Sequence, residues 1–426
     1  MSANRREFLG AASVGAAVAA GWPRGVRAAE RPVDGPLRLA LVGCGGQGPR
    51  DLEGMFRAAN RDDVPAVRAV AVCDVDSAQT AKAAGLANRL NGGGPECRTF
   101  SDHAAMIEAV GAELDAVIVA TPDHQHAPAS IAAADAGLAV YCEKPLANSV
   151  ADCDAVLAAA ERNGTLFQVG SHERSNPKVR RACELVRGGA LGELSEVVLQ
   201  MPTQQPHHRA VAATTAAAPL VPPPSSLDYA MWLGDAMEVD RAPAGWPDMR
   251  TVDPRLPGWV PPTGPHFWWR FVSAFGAGEI TDRGAHILDI AQLGTGRDDA
   301  DDWRPTAVTA TGDDRPAAFY DAPMEYSFRL TFASGPDYVG TTEGRRGVKF
   351  VGEKGELFVA VHGGNTTAEP ASLLDAKTDV DLGRTASHHA NFLRSIVGEE
   401  TPFAPAGAGH RTATLCHQIN AALQAD

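Results

Sequence analysis

Past its N-terminal leader the chain has no apolar run approaching the ~20 residues a membrane-spanning helix needs, so no span is predicted and the mature protein is expected to be soluble. Positive charge is in deficit: 38 Lys and Arg stand against 52 Asp and Glu, a formal net charge of −14. A surface of that sign repels phosphate backbones and anionic lipid, which excludes nucleic acid and membranes as partners. Cysteine is sparse. Residues 44, 73, 97, 142, 153, 183 and 416 form no CxxC pair, and an odd count leaves one over in any full pairing, so buried thiols are expected in place of a disulfide framework. Metal-ligand spacing is also missing: His124 with His126, His207-His208 and His388-His389 each lack a spaced third and fourth ligand, and no metal is predicted.

What the chain does have begins with Asn4-Arg5-Arg6-Glu7-Phe8-Leu9, followed by a weakly apolar Ala/Gly/Val run to Ala20 and a small-residue exit, Val26-Arg27-Ala28. This order predicts a twin-arginine signal over residues 1–28, with the export machinery as a partner and a periplasmic or otherwise exported destination. An ordinary amphipathic helix is the alternative reading, but Gly10, Gly15 and Gly21 each cost about 1 kcal/mol in a helix interior. Cleavage would remove Arg5, Arg6, Arg24 and Arg27 against Glu7 and take the net charge to −17. Twin-arginine export moves folded proteins, so a cofactor enclosed before export is expected to stay bound and to be reset within each cycle.

From Leu37 short apolar runs alternate with helical stretches, the pattern of a doubly wound parallel sheet with helices on both faces. Strands are predicted at 37–42, 67–73, 116–120, 138–142 and 165–169, with helices near 47–59, 77–90, 101–111, 126–136 and 149–163. These make residues 37–170 a Rossmann domain, of α/β class. Residues 171–426 read as a second, α+β domain with a mainly antiparallel open sheet: a helix at 177–187, a strand at 195–201, further strands at 324–332, 337–342, 347–351 and 356–361, and closing helices near 387–397 and 408–423. Between them, residues 202–280 hold thirteen of the thirty prolines and five of the seven tryptophans. An irregular stretch that long is usually functional or disordered, and the tryptophans argue for packing.

Gly43-Cys44-Gly45-Gly46-Gln47-Gly48 follows the first strand and opens a helix. In that setting Gly43 permits the tight turn, Gly45 and Gly46 bring the backbone to a pyrophosphate, and Gly48 permits close helix packing. Asp74 ends the next strand, where a carboxylate accepts the ribose hydroxyls and repels a 2′-phosphate, so NAD is predicted over NADP.

Two later clusters fall at carboxyl-terminal strand ends, where open sheets keep ligands: Thr121-Pro122-Asp123-His124-Gln125-His126 and Glu143-Lys144-Pro145. Together with Asp282-Arg283-Gly284-Ala285-His286-Ile287-Leu288-Asp289, they make the chain resemble the Gfo/Idh/MocA oxidoreductases, which include glucose-fructose oxidoreductase and inositol dehydrogenases. The resemblance implies that Thr121, Pro122, His126, Glu143 and Lys144 line the cofactor site, and that Lys144, Asp282 and His286 stand beside nicotinamide and substrate. His286 is then the candidate base for a carbinol proton. Lys144 would hold the reacting oxygen, its pKa lowered by burial and a neighbouring cation, while Asp282, one helical turn before His286, would contact substrate or support the imidazole. Arg174 and Asp289 are expected near the substrate. Trp268 and Trp269 are expected to wall its pocket, since flat rings stack on sugar faces, with plain packing as the competing reading. Taken singly, the catalytic trio also reads as a salt bridge, a helix cap and a core histidine. The resemblance further implies a homo-dimer or homo-tetramer.

The expected activity is that of an exported enzyme using tightly bound, internally recycled NAD on a secondary hydroxyl of a sugar, cyclitol or glycoside. The alternatives are a redox-neutral, NAD-dependent glycoside hydrolase or lyase working through a keto intermediate, and a catalytically silent sugar-binding protein.

Overall fold

The computed structural model describes residues 35–214, 218–238, 242–313 and 319–425, and the counts below refer to those residues. The predicted export leader, with Arg5 and Arg6, lies outside them.

Six parallel strands make the first sheet: β1 (Leu37–Val42), β2 (Val67–Cys73), β3 (Arg98–Phe100), β4 (Ala116–Val119), β5 (Ala139–Cys142) and β6 (Phe167–Val169), in the order β3-β2-β1-β4-β5-β6. Helices cover both faces, which is why β4 and β5 are apolar at every position and buried throughout. The edge strand β3 escaped the sequence reading because its three residues carry no apolar run. Local chemistry sets the helix ends: the side chains of Asp76, Asp102 and Ser149 each accept a backbone N–H of the helix that follows, and Gly92 and Gly164 close helices with left-handed backbones. Strand order reverses between β1 and β4, and their carboxyl ends open a crevice there.

The second sheet starts with β7 (Leu194–Gln200). A small ribbon of β8 (Leu220–Val221) and β9 (Trp246–Pro247) follows, and then β10 (Ala307–Gly312), β11 (Tyr326–Thr331), β12 (Asp337–Thr341), β13 (Gly347–Gly352), β14 (Gly355–Ala360) and β15 (Thr367–Glu369). The seven-stranded order is β10-β11-β12-β7-β13-β14-β15, antiparallel except where β12 meets β7. One face packs Leu199, Phe328, Leu330, Phe350 and Leu357 against the helices Pro177–Arg187 and Arg283–Thr295. The other face is mixed: Val198, Val339 and Val351 lie among polar residues, with Arg329 bridging Asp337 at 2.9 Å and Glu196 at 3.3 Å.

Residues 202–280 do not form a bare loop. Short helices and the β8–β9 ribbon gather around an aromatic core of Trp232, Trp246, Trp268, Phe271, Phe275 and Tyr320. This core docks on the end of β2, where Asp228 N donates to Val75 O at 2.9 Å and His266 Nε2 lies 2.6 Å from Asp76 Oδ2. The chain then returns to the first sheet. Phe392, Leu393 and Ile396 of the helix His388–Ile396 join the core of Leu39, Leu41 and Leu52, and the helix Ala406–Leu423 runs from β6 to β10 across both units. Gly409 of that helix lies so close to β6 that a Cβ there would come within 2.5 Å of Val169.

Candidate active site

A cavity of about 720 Å³ opens at the β1/β4 crevice, with walls from both units. At its floor Gly43 has φ +93°, and a Cβ there would come within 2.5 Å of the Ala120 carbonyl carbon. A Cβ on Gly48 would sit 2.0 Å from Gly43 O, whereas Gly45 and Gly46 have nothing within 4 Å of theirs. The turn is thus packed where it meets the sheet and bare where it meets the cavity. No side chain caps the helix Gly48–Ala59 behind it, so its amino end faces the cavity free to receive an anion. Asp74 lines the same end. Its carboxylate accepts Cys44 N at 2.6 Å and Asp76 N at 2.8 Å, which orients the group, while burial raises its pKa. These residues fit a dinucleotide.

Thr121, Pro122, His126, Glu143 and Lys144 all line this cavity. His126 is placed as a brace: its ring nitrogens lie 2.7 Å from Pro145 O and 3.0 Å from Thr121 O, tying the two motif loops together, and burial pushes its pKa down to about 4. Lys144 Nζ donates to Asp282 Oδ1 at 2.6 Å and to Asp282 O at 3.3 Å. Burial alone would lower the Lys144 pKa, but Asp282, Glu143 and Asp123 outweigh it and the pKa rises, which corrects the expected downward shift. Burial alone would likewise raise Asp282, but Lys144, Arg270 and Arg283 hold it well below the carboxylate range. Asp282 therefore serves Lys144 and not the imidazole. One turn into the helix Arg283–Thr295, His286 is 2 % exposed, and burial, helped by His172, Lys144 and His362, keeps it neutral at physiological pH.

Three expected substrate residues are elsewhere. Arg174 is 3 % exposed, with Nε 2.8 and 2.9 Å from the Asp289 carboxylate and Nη1 2.8 Å from Asp298. Arg174 and Asp289 thus form a buried ion cluster outside the cavity. Trp268 is fully buried, and its Nε1 donates to Pro261 O at 2.9 Å, so packing accounts for it. Trp269 does line the cavity, with the Arg270 guanidinium 4.4 Å from its ring. The sequence reading missed His172, Arg270 and His362, all in the wall, while Trp259 of the tryptophan-rich stretch does line it. His172 was detectable because it follows the carboxyl end of β6. His362, beyond β14, carries no such signal.

Two outcomes test these assignments. Arg174→Met leaves Asp289 buried without its counter-ion and Asp298 with Arg187 alone, and should cost about 3–5 kcal/mol in denaturant unfolding, with KM unchanged in the folded fraction; wild-type stability with a raised KM would return Arg174 to the substrate site. Glu143 concerns pH. Burial, with added repulsion from Asp51, raises its carboxyl above the ordinary 4.5. The folded protein therefore holds this proton more tightly than the unfolded chain, and stability should fall as pH climbs past 4.5. Glu143→Gln should flatten that fall between about pH 5 and pH 8 in the urea midpoint; an unchanged slope would mean the folded carboxyl is already ionised.

Residues 37–171 match the Gfo/Idh/MocA family, described as an oxidoreductase family with an NAD-binding Rossmann fold. Among curated relatives, D-apiose dehydrogenase of Paraburkholderia graminis is 35% identical over 153 residues, covering 36% of this chain and 37% of the relative. Inositol 2-dehydrogenase 3 of Saccharopolyspora erythraea is 34% identical over 157 residues, covering 37% and 42%. A glycosyl hydrolase family 109 protein of Stenotrophomonas maltophilia is 33% identical over 204 residues, covering 45% and 40%. The chain thus spans about two fifths of the length of these relatives. Over nearly the whole chain the fold is that of the WlbA dehydrogenase from Bordetella pertussis, solved with NADH and UDP-GlcNAcA (TM-score 0.61, 18% identity, 92% of this chain and 97% of that one). Levoglucosan dehydrogenase, solved with NADH and levoglucosan, has a TM-score of 0.58 at 19% identity over 92% of this chain and 96% of that one. The domain of residues 37–171 is an NAD-binding Rossmann domain of the Gfo/Idh/MocA oxidoreductase family.

Proposed function

We propose that the protein oxidises a secondary hydroxyl of a sugar, cyclitol or glycoside with NAD held in the β1/β4 crevice. The observation that carries this reading is the meeting, in one cavity shared by both units, of a charged Lys144–Asp282 pair and a neutral buried His286. The bare backbone at Gly45 and Gly46 and the carboxylate of Asp74 would hold the pyrophosphate and the adenosine ribose. When bound, the nicotinamide supplies the hydride acceptor. Lys144, kept as an ammonium by Asp282, binds the carbinol oxygen and stabilises negative charge growing on it. His286 has a free lone pair at neutral pH and takes the hydroxyl proton. Trp269 and Trp259 offer flat faces to the rest of the substrate.

Substrate class, export and assembly belong to this proposal. Export rests on the Asn4-Arg5-Arg6 leader and implies cofactor that is not replenished outside, so bound NAD should survive purification. Assembly as a dimer or tetramer rests on the family resemblance. A second reading, redox-neutral glycoside cleavage through a transient keto group, is favoured by the similarity to the family 109 glycosyl hydrolase protein. A silent binding protein would have no use for the Lys144–Asp282 pair.

Lys144→Met should slow reduction of the bound cofactor by at least about 100-fold while NAD still co-purifies, as mass spectrometry of the denatured protein would report. Unaltered reduction would remove Lys144 from the chemistry. Product analysis after glycoside incubation then separates the two activities: a keto sugar or sugar acid means net oxidation, and a released aglycone without net cofactor reduction means cleavage.

A further inference from the structure

The cavity contains a side-chain cluster that the hydroxyl-oxidation reading does not require. His172, just after β6, His286, in the helix Arg283–Thr295, and His362, just after β14, each place a ring nitrogen within 4.8 Å of those of the other two. Their ring centroids are 4.7 Å apart for 172–286, 4.5 Å for 286–362 and 5.4 Å for 172–362. We propose that these three histidines bind one divalent transition-metal ion of the Zn²⁺ type, with the fourth coordination position open to the cavity.

Three observations support the site. His286 Nδ1 is buried and has no hydrogen-bond partner, an arrangement that costs free energy unless something fills it. His362 has φ 59°, and it is the one described non-glycine residue with a positive φ. Such a backbone costs roughly 1–3 kcal/mol and tends to persist at sites of function. It is held in place by Glu173 Oε1, which accepts His362 N at 2.8 Å and lies 3.9 Å from His172 Nε2, close enough to add negative charge but beyond hydrogen-bond reach. Finally, all three rings are held below the ordinary histidine pKa by desolvation and by the Lys144 ammonium, with His172 also acting on His286 and His362, and so keep their lone pairs at neutral pH.

Zinc–nitrogen bonds of about 2.0–2.1 Å in a tetrahedron require nitrogens closer than 4.8 Å, so the rings must close inward. His172 and His362 are exposed towards the cavity and can turn, while His286 is fixed by its burial. The Lys144 ammonium opposes a cation here, but Asp282 neutralises it, and both Asp282 and Glu173 contribute negative charge nearby. Three imidazoles with one open position favour Zn²⁺, Co²⁺, Ni²⁺ or Cu²⁺ over the oxygen-seeking Mg²⁺ and Ca²⁺.

The consequence for activity rests on the proposed function. Coordination occupies the lone pair with which His286 would accept the hydroxyl proton, so a bound ion should suppress oxidation and a chelator should restore it.

The test is titration of the full-length, NAD-containing protein with Co²⁺ and with Zn²⁺ against a competing chelator. One equivalent of Co²⁺ should give the intense visible bands of a four-coordinate site, and Zn²⁺ should displace it. His362→Gly is the informative variant, because glycine accepts the left-handed backbone without strain and removes only the ligand. It should weaken metal binding by more than about 100-fold, beyond the usual loss of an outer partner, with thermal stability retained or raised. His172→Ala should weaken binding as well. Absence of a stoichiometric cobalt spectrum, or equal affinity in His362→Gly, would overturn the site. Tight binding that left oxidation unaffected would keep the site and remove His286 as the base, so the two ideas fail separately.

Discussion

The contact between Lys144 and Asp282 is the constraint around which the candidate site is arranged. The partners are 138 residues apart, one following β5 and the other immediately preceding the helix Arg283–Thr295, so the 2.6 Å bond forms only when the two units are seated together. Taking both charges partly out of water, to 16% and 25% exposure, is costly, and such a pair is tolerated only when its geometry is close and further groups complete it. Those groups set the protonation pattern of the neighbourhood. Lys144 is raised and Asp282 lowered, Asp123 is pushed well above its usual range by burial, and His286 is kept neutral. Titratable neighbours whose pKa values are driven apart can divide acid, base and anchoring roles among themselves.

Such a seam has to be rigid, because small misplacements of reacting groups are costly in rate. Two devices away from the cavity supply that rigidity. The Arg174, Asp289 and Asp298 cluster locks the turn after β6 to the helix that carries His286. The closing helices His388–Ile396 and Ala406–Leu423 return to the first sheet and help fill its two cores, so the first unit has no complete hydrophobic core without the C-terminal part of the chain. Arg174 and Asp289, expected near the substrate from the sequence, are therefore supports that hold the cavity wall in place.

Legibility followed periodicity. Runs such as Leu37–Val42 and Val67–Cys73 are apolar apart from Arg38 and Arg68 near their starts and are mostly buried, and the glycine turn after Val42 has a fixed spacing set by backbone sterics, so the cofactor crevice could be read directly. Lys144, Asp282 and His286 were found as motifs, yet the direction of the Lys144 shift was not, because it depends on a carboxylate 138 residues distant. Trp268 and Trp269 are adjacent in sequence, and one is core while the other is wall. Nothing in the pair distinguishes them before the chain folds. His172 and His362 were missed for a related reason: their significance lies in a mutual approach across three elements, and spacing along one chain does not encode it.

The division of labour within the cavity follows from the same physics. Groups that must be placed to within a fraction of an ångström come from the ends of regular elements: the turn after β1, the loop after β5, the first turn of the helix Arg283–Thr295. Much of the outer wall comes from residues 202–280, built of short helices around their own aromatic core. Three large hydrophobic side chains stand exposed among the described residues, Leu220, Met231 and Trp259, and all belong to that stretch. Met231 and Trp259 line the cavity, and the Trp259 ring meets His207 at 6.0 Å and Phe267 at 5.8 Å. An apolar ring 66% exposed in water has no stabilising reason to be there, whereas a ligand face laid against it would remove that surface from solvent. Under the proposed function the wall is therefore the part of the site that would select what binds, set apart from the residues proposed to act on it.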